Sequence, residues 1–327
     1  MAPSPEAAAL RRRALLAAPL LALAARAGAQ EGWPTRPVRI VAPFPPGGTV
    51  DILARLTATW LQEAIGQPFV VENRSGAGGN IGAVAVARAQ PDGYTPLMGS
   101  PGTQAINAHL YANPGYDGIA DFAPISLVAE VPNLLAAHPS LGVQDAAGLI
   151  ALAKEKRLAY GETSIGGSTH LSAELLRLQA GIEGEHVTYR GSSPMLADLL
   201  PGRIAWGVDN LPSILPHIRA GSLTAIGVTS RARWSGAPEI PAIAETLPGY
   251  EVTAWFGLLA PKGTPEGVIR TVNAALARML GTPGAAQRLA ELGATPIPCT
   301  PEAYRAHILA EHGKWGEVIR RAGIRLE

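Results

Sequence analysis

Val41-Ala42-Pro43-Phe44-Pro45-Pro46-Gly47-Gly48-Thr49-Val50-Asp51 sets the architecture of this chain. The apolar run from Arg39 to Phe44 has the length of a short strand, and the Pro-Pro-Gly-Gly step stops it. Hydrophobic residues then recur at helical spacing from about Val50 to Ile65. The same strand, glycine turn and helix return in Phe69 to Asn73, Gly76-Ala77-Gly78-Gly79 and Asn80 to Ala89. Thr95 to Ser100 is a third strand, after the turn Pro91-Asp92-Gly93. Leu158 to Tyr160, Val187 to Tyr189, Ile204 to Val208 and Leu223 to Val228 continue the alternation, with helices at Ser168 to Ala180 and Leu211 to Ala220. Such alternation predicts parallel sheets covered by helices, with ligands at the carboxyl ends of the strands.

The end of the chain departs from this rhythm. After Trp255 to Ala260 it is mainly helical, at Pro265 to Leu280, Gly284 to Leu292 and Pro301 to about Ala322, the last opened by a Thr-Pro-Glu helix start. One strand and three helices make a poor domain. They are expected to return to the first domain, leaving residues 131–255 as an insertion with crossings near Val131 and Trp255. Residues 30–130 and 256–327 then form a discontinuous first lobe, joined to the second by a two-crossing hinge with a cleft between them.

Composition narrows the function. The 327 residues carry 27 Lys and Arg against 26 Asp and Glu, a net charge of +1. No basic excess offers itself to nucleic acid, so no nucleic-acid partner is expected. A single cysteine, Cys299, excludes an intrachain disulfide framework.

Arg11-Arg12-Arg13, the apolar run Ala14 to Ala25 and Ala27-Gly28-Ala29 together have the pattern of a secretory signal peptide, residues 1–29, cleaved near Ala29. Twelve apolar residues are too few to span a bilayer, which takes about 20. A short amphipathic helix is the alternative, but the segment has no polar face. The arginines also admit twin-arginine export, although no Ser precedes them. Cleavage removes four arginines and one glutamate, leaving 23 basic and 25 acidic residues, a net −2. The mature protein is therefore expected in the periplasm.

Familiar catalytic patterns do not fit. Gly76-x-Gly78-x-x-x-Gly82 misses the dinucleotide spacing, because Ile81 occupies the last position, and it follows the second strand. No G-x-S-x-G elbow or H-E-x-x-H metal motif occurs, and His307 and His312, five apart, do not share a helix face. They read as surface histidines. Ser168-Thr169-His170 sits at a helix start, where such residues cap more often than they react. No cofactor and no metal are expected.

The positive signal lies in two loops. Pro45 to Asp51 and Thr163 to His170 each place glycines and hydroxyls at a helix N-terminus, where open amides and the helix dipole favour an anion. A hydrogen bond to a charged group contributes roughly 1.5–3 kcal/mol. Three or four supply much of the about 8 kcal/mol of micromolar binding. Plain helix capping is the alternative for each loop.

Seven segments carry a resemblance along almost the whole mature chain: Val41 to Asp51, Val71 to Gly79, Pro91 to Thr95, Asp121 to Ile125, Val208 to Ser213, Pro248 to Glu251 and Trp255 to Leu258. Their order resembles that of the Bug family, the TctC-like extracytoplasmic solute receptors of tripartite tricarboxylate transporters. The resemblance implies a periplasmic-binding-protein, or Venus-flytrap, fold. Its two α/β lobes would close on a small carboxylate, such as a di- or tricarboxylate, amino acid or aromatic acid, and a monomer would pass it to a membrane permease. By position, Phe44, Gly48, Thr49 and Asp51 would line the first lobe, with Ser100 and Thr103 beside them. Ser164, Gly167, Ser168, Thr169, His170 and Asp209 would come from the second. Ser75 replaces a proline usual in the family, and Ser164 and Gly167 depart from its Ser-Gly-x-Gly-Thr-x-x-His loop. The other readings are an exported α/β enzyme using His170 or Asp209, or a ligand-dependent partner of a sensor kinase.

Overall fold

The structure is a computed structural model and describes residues 32–322. The expected signal peptide lies outside the described residues. Two compact units make up the chain, Met1–Thr35 and Arg36–Glu327. Within the first, residues 32–35 are described and include the cis Trp33–Pro34 peptide bond. All the elements below belong to the second.

The first part of that unit follows the quoted stretch. β1 (Val38–Ala42) ends at the Pro-Gly turn, α1 (Thr49–Ile65) crosses back, and β2 (Phe69–Asn73) pairs with β1 in parallel. α2 (Asn80–Ala87) then leads to β3 (Leu97–Gly99), which pairs in parallel with the other edge of β1. A five-residue π-helical turn, Gly102–Ile106, and the short α3 (Asn107–Leu110) follow.

β4 (Phe122–Ala137) is a single strand of 16 residues that serves two sheets. Its first part, through Pro132, pairs with β9 (Thr253–Pro261), and its last five residues pair with β7 (Trp206–Asn210). β8 (Thr224–Val228) lies on the other side of that last part. α4 (Ala146–Glu155), β5 (Leu158–Glu162), α5 (Ser168–Ala180), β6 (Gly184–Thr188), α6 (Ser192–Leu199) and α7 (Leu211–Arg219) complete the second sheet and its cover. After β9, α8 (Glu266–Leu280), α9 (Pro283–Glu291), β10 (Thr295–Pro296) and α10 (Pro301–Ala322) close the described chain. β10 pairs with β4 at Ala129 and Glu130.

The expectation of parallel sheets holds only in part. β1–β2, β1–β3, β5–β6 and β5–β7 are parallel, whereas β3–β9, β4–β9, β4–β7 and β4–β8 are antiparallel. One strand carries the chain out of the first sheet and the other brings it back, so β4 and β9 run in opposite directions. Thr229 fixes the junction: its amide donates to Asn133 O, its hydroxyl donates to Val252 O, and Val252 N donates to Thr229 O.

Each sheet has its own core. Val41, Leu97, Ile106, Phe122, Trp255, Tyr304 and Trp315 pack together on the first, and Leu135, Leu149, Tyr160, Leu176, Trp206 and Tyr250 on the second. His307 and His312 are not free surface groups. His307 packs edge-on to Trp255 at 4.8 Å, and the His312 ring lies 4.2 Å from that of His109, because α10 buries a wider stripe than its sequence spacing suggests. Among the described residues, no helix is long and apolar enough to cross a membrane, and no group of three His, Cys, Asp or Glu residues is placed to hold a metal.

Candidate functional site

β1 lies between β2 and β3, and β5 lies between β6 and β7. In both sheets the strand order reverses at that strand, so a crevice opens at the carboxyl ends there. The two crevices face each other across a cavity of about 480 Å³, mouth included. That volume is in the range for small-molecule sites, roughly 300–1000 Å³.

Four helices start at this cavity: α1 after Gly48, α5 after Gly167, α6 after Gly191 and α7 after Asn210. At none of them does a side chain accept the first amides. Each helix start leaves several N–H groups without an intrahelical partner and carries about half a positive charge from its dipole. Among the described residues, no charged side chain lines the cavity. The residues lining it include Thr49, Ser100, Thr163, Ser164, Ser168, Thr169 and Ser192, which carry hydroxyls, Asn210, and the apolar Phe44, Pro45, Val50, Pro101 and Phe256. Open amides and hydroxyls set among apolar side chains suit the carboxylate of a small organic acid.

The two sides touch. Thr49 Oγ1 lies 2.8 Å from Ser213 Oγ, and the Ser193 hydroxyl donates to Pro46 O at 3.1 Å. Gly191 makes the approach possible: with φ of 131°, its backbone takes a form that side chains disfavour, and a Cβ there would lie 2.9 Å from the Pro45 ring.

Of the residues expected in the site, Phe44, Gly48, Thr49, Ser100, Ser164, Gly167, Ser168 and Thr169 meet in the cavity wall, and the other four lie behind it. Asp51 turns back under its own loop, accepting from Gly47 N at 3.0 Å and from Asn73 at 2.9 Å, and pairs with Arg55 at 2.9 Å. Burial alone would raise its pKa, but these three donors hold it below the ordinary aspartate value. Thr103 is buried and bonds within its turn, donating to Ser100 O and accepting from Ser100 N. His170 Nδ1 accepts from Gly166 N at 3.3 Å, and its ring stacks on His186, which stacks on Tyr160 and then Trp206. Burial lowers the His170 pKa and favours the neutral ring, which can accept that amide.

Asp209 is fully buried. Its Oδ1 accepts from the Ser192 hydroxyl at 3.0 Å and from Asn210 N at 2.7 Å, while Oδ2 has no hydrogen-bond partner among the described residues. Burial pushes its pKa up to about 7, against the pull of those two donors. Neither aspartate therefore presents a carboxylate to the cavity.

Ser192, Asn210, Gly191 and Phe256 were missed as wall residues by sequence reasoning. Gly191-Ser192 follows the predicted strand at Val187 to Tyr189 and has the glycine-hydroxyl signature of the other two loops, but the short helix that it opens, α6, was not among the predicted helices. Asn210 is joined to the hinge through Asn133, the residue at which β4 passes into the second sheet. Asn133 accepts from the Asn210 side chain and from Ser168 Oγ, and donates to Ser172 Oγ. That link is visible only once β4 and β7 are paired.

Comparison with known proteins agrees with this geometry. The chain is 37% identical over 299 residues to Protein BugT of Bordetella pertussis, covering 90% of this chain and 92% of that one. It superposes on the structure of R. palustris Rpa4515 with adipate at a TM-score of 0.88 and 43% identity, over 90% of this chain and all of that one. MatC of Rhodopseudomonas palustris with bound malate superposes at 0.82 with 32% identity, over 88% of this chain and all of MatC. The family described as the tripartite tricarboxylate transporter family receptor matches residues 53–324. With these relatives and this periplasmic-binding-protein fold, the chain belongs to that receptor family, to which the Bug proteins also belong.

Proposed function

We propose that this protein captures a small carboxylate in the periplasm and delivers it, as a monomer and without turning it over, to the membrane permease of a tripartite transporter. The observation that carries the reading is the meeting of four uncapped helix starts at a cavity without a charged side chain. The carboxylate is held by main-chain amides and small hydroxyls, each bond contributing roughly 1.5–3 kcal/mol. The adipate and malate in two relatives support this class of ligand.

Two lobes, residues 30–130 with 256–327 and residues 131–255, close about β4 and β9, and the bonds between Thr49 and Ser213 and between Ser193 and Pro46 belong to the closed form. The receptor reading is favoured over an enzyme because His170 and Asp209 stand behind the wall, out of reach of a bound acid. A leader of residues 1–29 directs export.

Calorimetric titration of the mature protein with adipate, malate, succinate, glutamate and benzoate tests the reading. At least one acid is expected to bind at micromolar concentration and to be recovered unchanged. Thr49→Ala and Ser168→Ala should each weaken it about tenfold, the worth of a hydrogen bond to a charged group. Absence of binding by all five acids, or their chemical conversion, would overturn it.

A further inference from the structure

Asp209 stands one side chain behind the cavity wall. Ser192, which lines the cavity at the start of α6, donates its hydroxyl to Asp209 Oδ1 at 3.0 Å, and Asn210 N, where α7 begins, donates to the same oxygen at 2.7 Å. Oδ2 is buried and has no hydrogen-bond partner among the described residues. An orphaned oxygen in a neutral carboxyl forfeits one hydrogen bond, whereas in a buried carboxylate it leaves charge without solvation, which is far more costly. The group therefore keeps its proton more firmly than an exposed aspartate does, and burial puts its pKa at about 7.

The other ionisable groups around it face elsewhere or are already paired. β5 sets Glu162 beside Val208, so Glu162 shares the face of Val208, opposite to Asp209; there it bonds to His186, on whose ring His170 of α5 stacks. Glu174 of α5 is held by Arg177. β4 presents Leu134 opposite Asp209, and β8 presents Val228 to Leu134. On α6, Asp198 is held by Arg203 and by the Tyr189 hydroxyl, and on α1, Asp51 is held by Arg55. His217 and Arg219 sit in the last turn of α7, at the other end of that helix. Arg190, which precedes Gly191, lines a wider outer chamber that shares Phe44 and Ser164 with the cavity.

An ionised Asp209 and a bound carboxylate draw on the same two helix starts, and like charges so close oppose each other. We propose that Asp209 couples capture to a proton: it takes one from solvent onto Oδ2 as the acid binds, so that capture is tight in mildly acidic surroundings and weakens as they turn alkaline. The proposal rests on the cavity being the carboxylate site. An anion that raises the proton affinity of Asp209 gives a complex with more bound protons than the free protein, so affinity declines once pH passes about 7.

Calorimetry on the mature protein at pH 6.5, 7.5 and 8.5 tests this, with the tightest binder among adipate, malate, succinate, glutamate and benzoate. Their carboxyls are ionised throughout that range, since free carboxyls titrate near about 4. Affinity should fall about tenfold from pH 6.5 to 8.5, and titrations at pH 7.5 in two buffers of different ionisation enthalpy should show uptake of about half a proton per acid. Infrared difference spectra with ¹³C-labelled acid should assign the new protonated carboxyl to the protein. Asp209→Asn keeps an oxygen for Ser192 and Asn210 N but cannot ionise; it should bind within about threefold of the unmodified protein at pH 6.5, with a flat profile and no uptake. Uptake and infrared on the unmodified protein decide the matter even if the variant folds poorly. If affinity is level across the range, if binding takes up no proton, if the proton is found on the acid, or if Asp209→Asn retains the uptake, the coupling is refuted while the cavity stands. If none of the five acids binds, both readings fall.

Discussion

Helices α4, α9 and α10 begin with a side chain folded over their first amides, whereas α1, α5, α6 and α7 begin without one. Asp145 accepts from Gly148 N, Thr282 from Ala285 N and Thr300 from Ala303 N. Those three starts lie outside the cavity wall, and the four bare ones lie in it. α8, with Glu266 in its first turn, and α2, beside the outer chamber, also lack a capping side chain, so bareness alone does not make a site. The distinction is convergence: four sets of open amides share one small space and no carboxylate enters it. A side-chain cap contributes about 1 kcal/mol to a helix. Leaving it out keeps the donors available for a ligand.

The most severe way to break the contrast is to give a cavity helix the cap it lacks. Gly48 has extended backbone angles that aspartate adopts, and a Cβ there would lie 3.3 Å from the Ser192 hydroxyl, which has to shift by a few tenths of an ångström, and 3.7 Å from Pro45 O. In Gly48→Asp the new carboxylate takes the α1 amides and adds like charge. Affinity for the acid should fall about a thousandfold, some 4 kcal/mol. The melting temperature should hold, since glycine and aspartate caps differ by only a few tenths of a kcal/mol. Calorimetry and thermal unfolding on the same variant check both halves.

Asp209 sharpens the contrast next, because it is the buried carboxylate that touches two of the bare helix starts, at Ser192 and Asn210. Its pKa rises from 3.8 to about 7 on folding. The unfolded chain therefore releases this proton at lower pH than the native protein, so the contribution of Asp209 to stability is present below about pH 4. It is lost as pH rises towards 7 and levels off above it. Asp209→Asn should remove this slope, raising relative stability at neutral pH by at most a few kcal/mol. Denaturant titrations at pH 4, 5.5 and 7.5 measure it, and parallel curves for both proteins would contradict a carboxyl kept neutral by burial.

The smallest effect belongs to the outer surface. Thr282→Ala should cost about 1 kcal/mol of stability, seen in urea unfolding, and leave acid affinity unchanged. A change in affinity would mean that the outer caps and the cavity are coupled.

Much of the framework is legible in the residues. Helices α5 and α10 occupy the positions that Gly167-Ser168 and Thr300-Pro301-Glu302 announce. β1, β2 and β5 follow from short apolar runs ended by turn residues. β4 is the element the sequence conceals, since Pro124 and Pro132 argue against a long strand. Its pairing with β9 shifts register near Pro124, and Pro132 stands where the strand passes between sheets, so neither proline occupies a regular interior position. The glycine and hydroxyl loops were equally visible, including most of the cavity wall, because open amides at a helix start are a local property.

By itself, then, the sequence determined where strands yield to helices, where glycines and hydroxyls open those helices, and the family order of motifs; all of these depend on neighbours within a few residues. Only the tertiary structure decided which donors share a space. Asp51, in the first turn of α1, and Asp209, near the end of β7, were both expected to face the ligand, yet one turns under its loop onto Arg55 and the other is sealed behind Ser192. Direction and burial of a side chain depend on elements brought from distant parts of the chain, such as β4 laying Asn133 beside Asn210, and no local pattern encodes them.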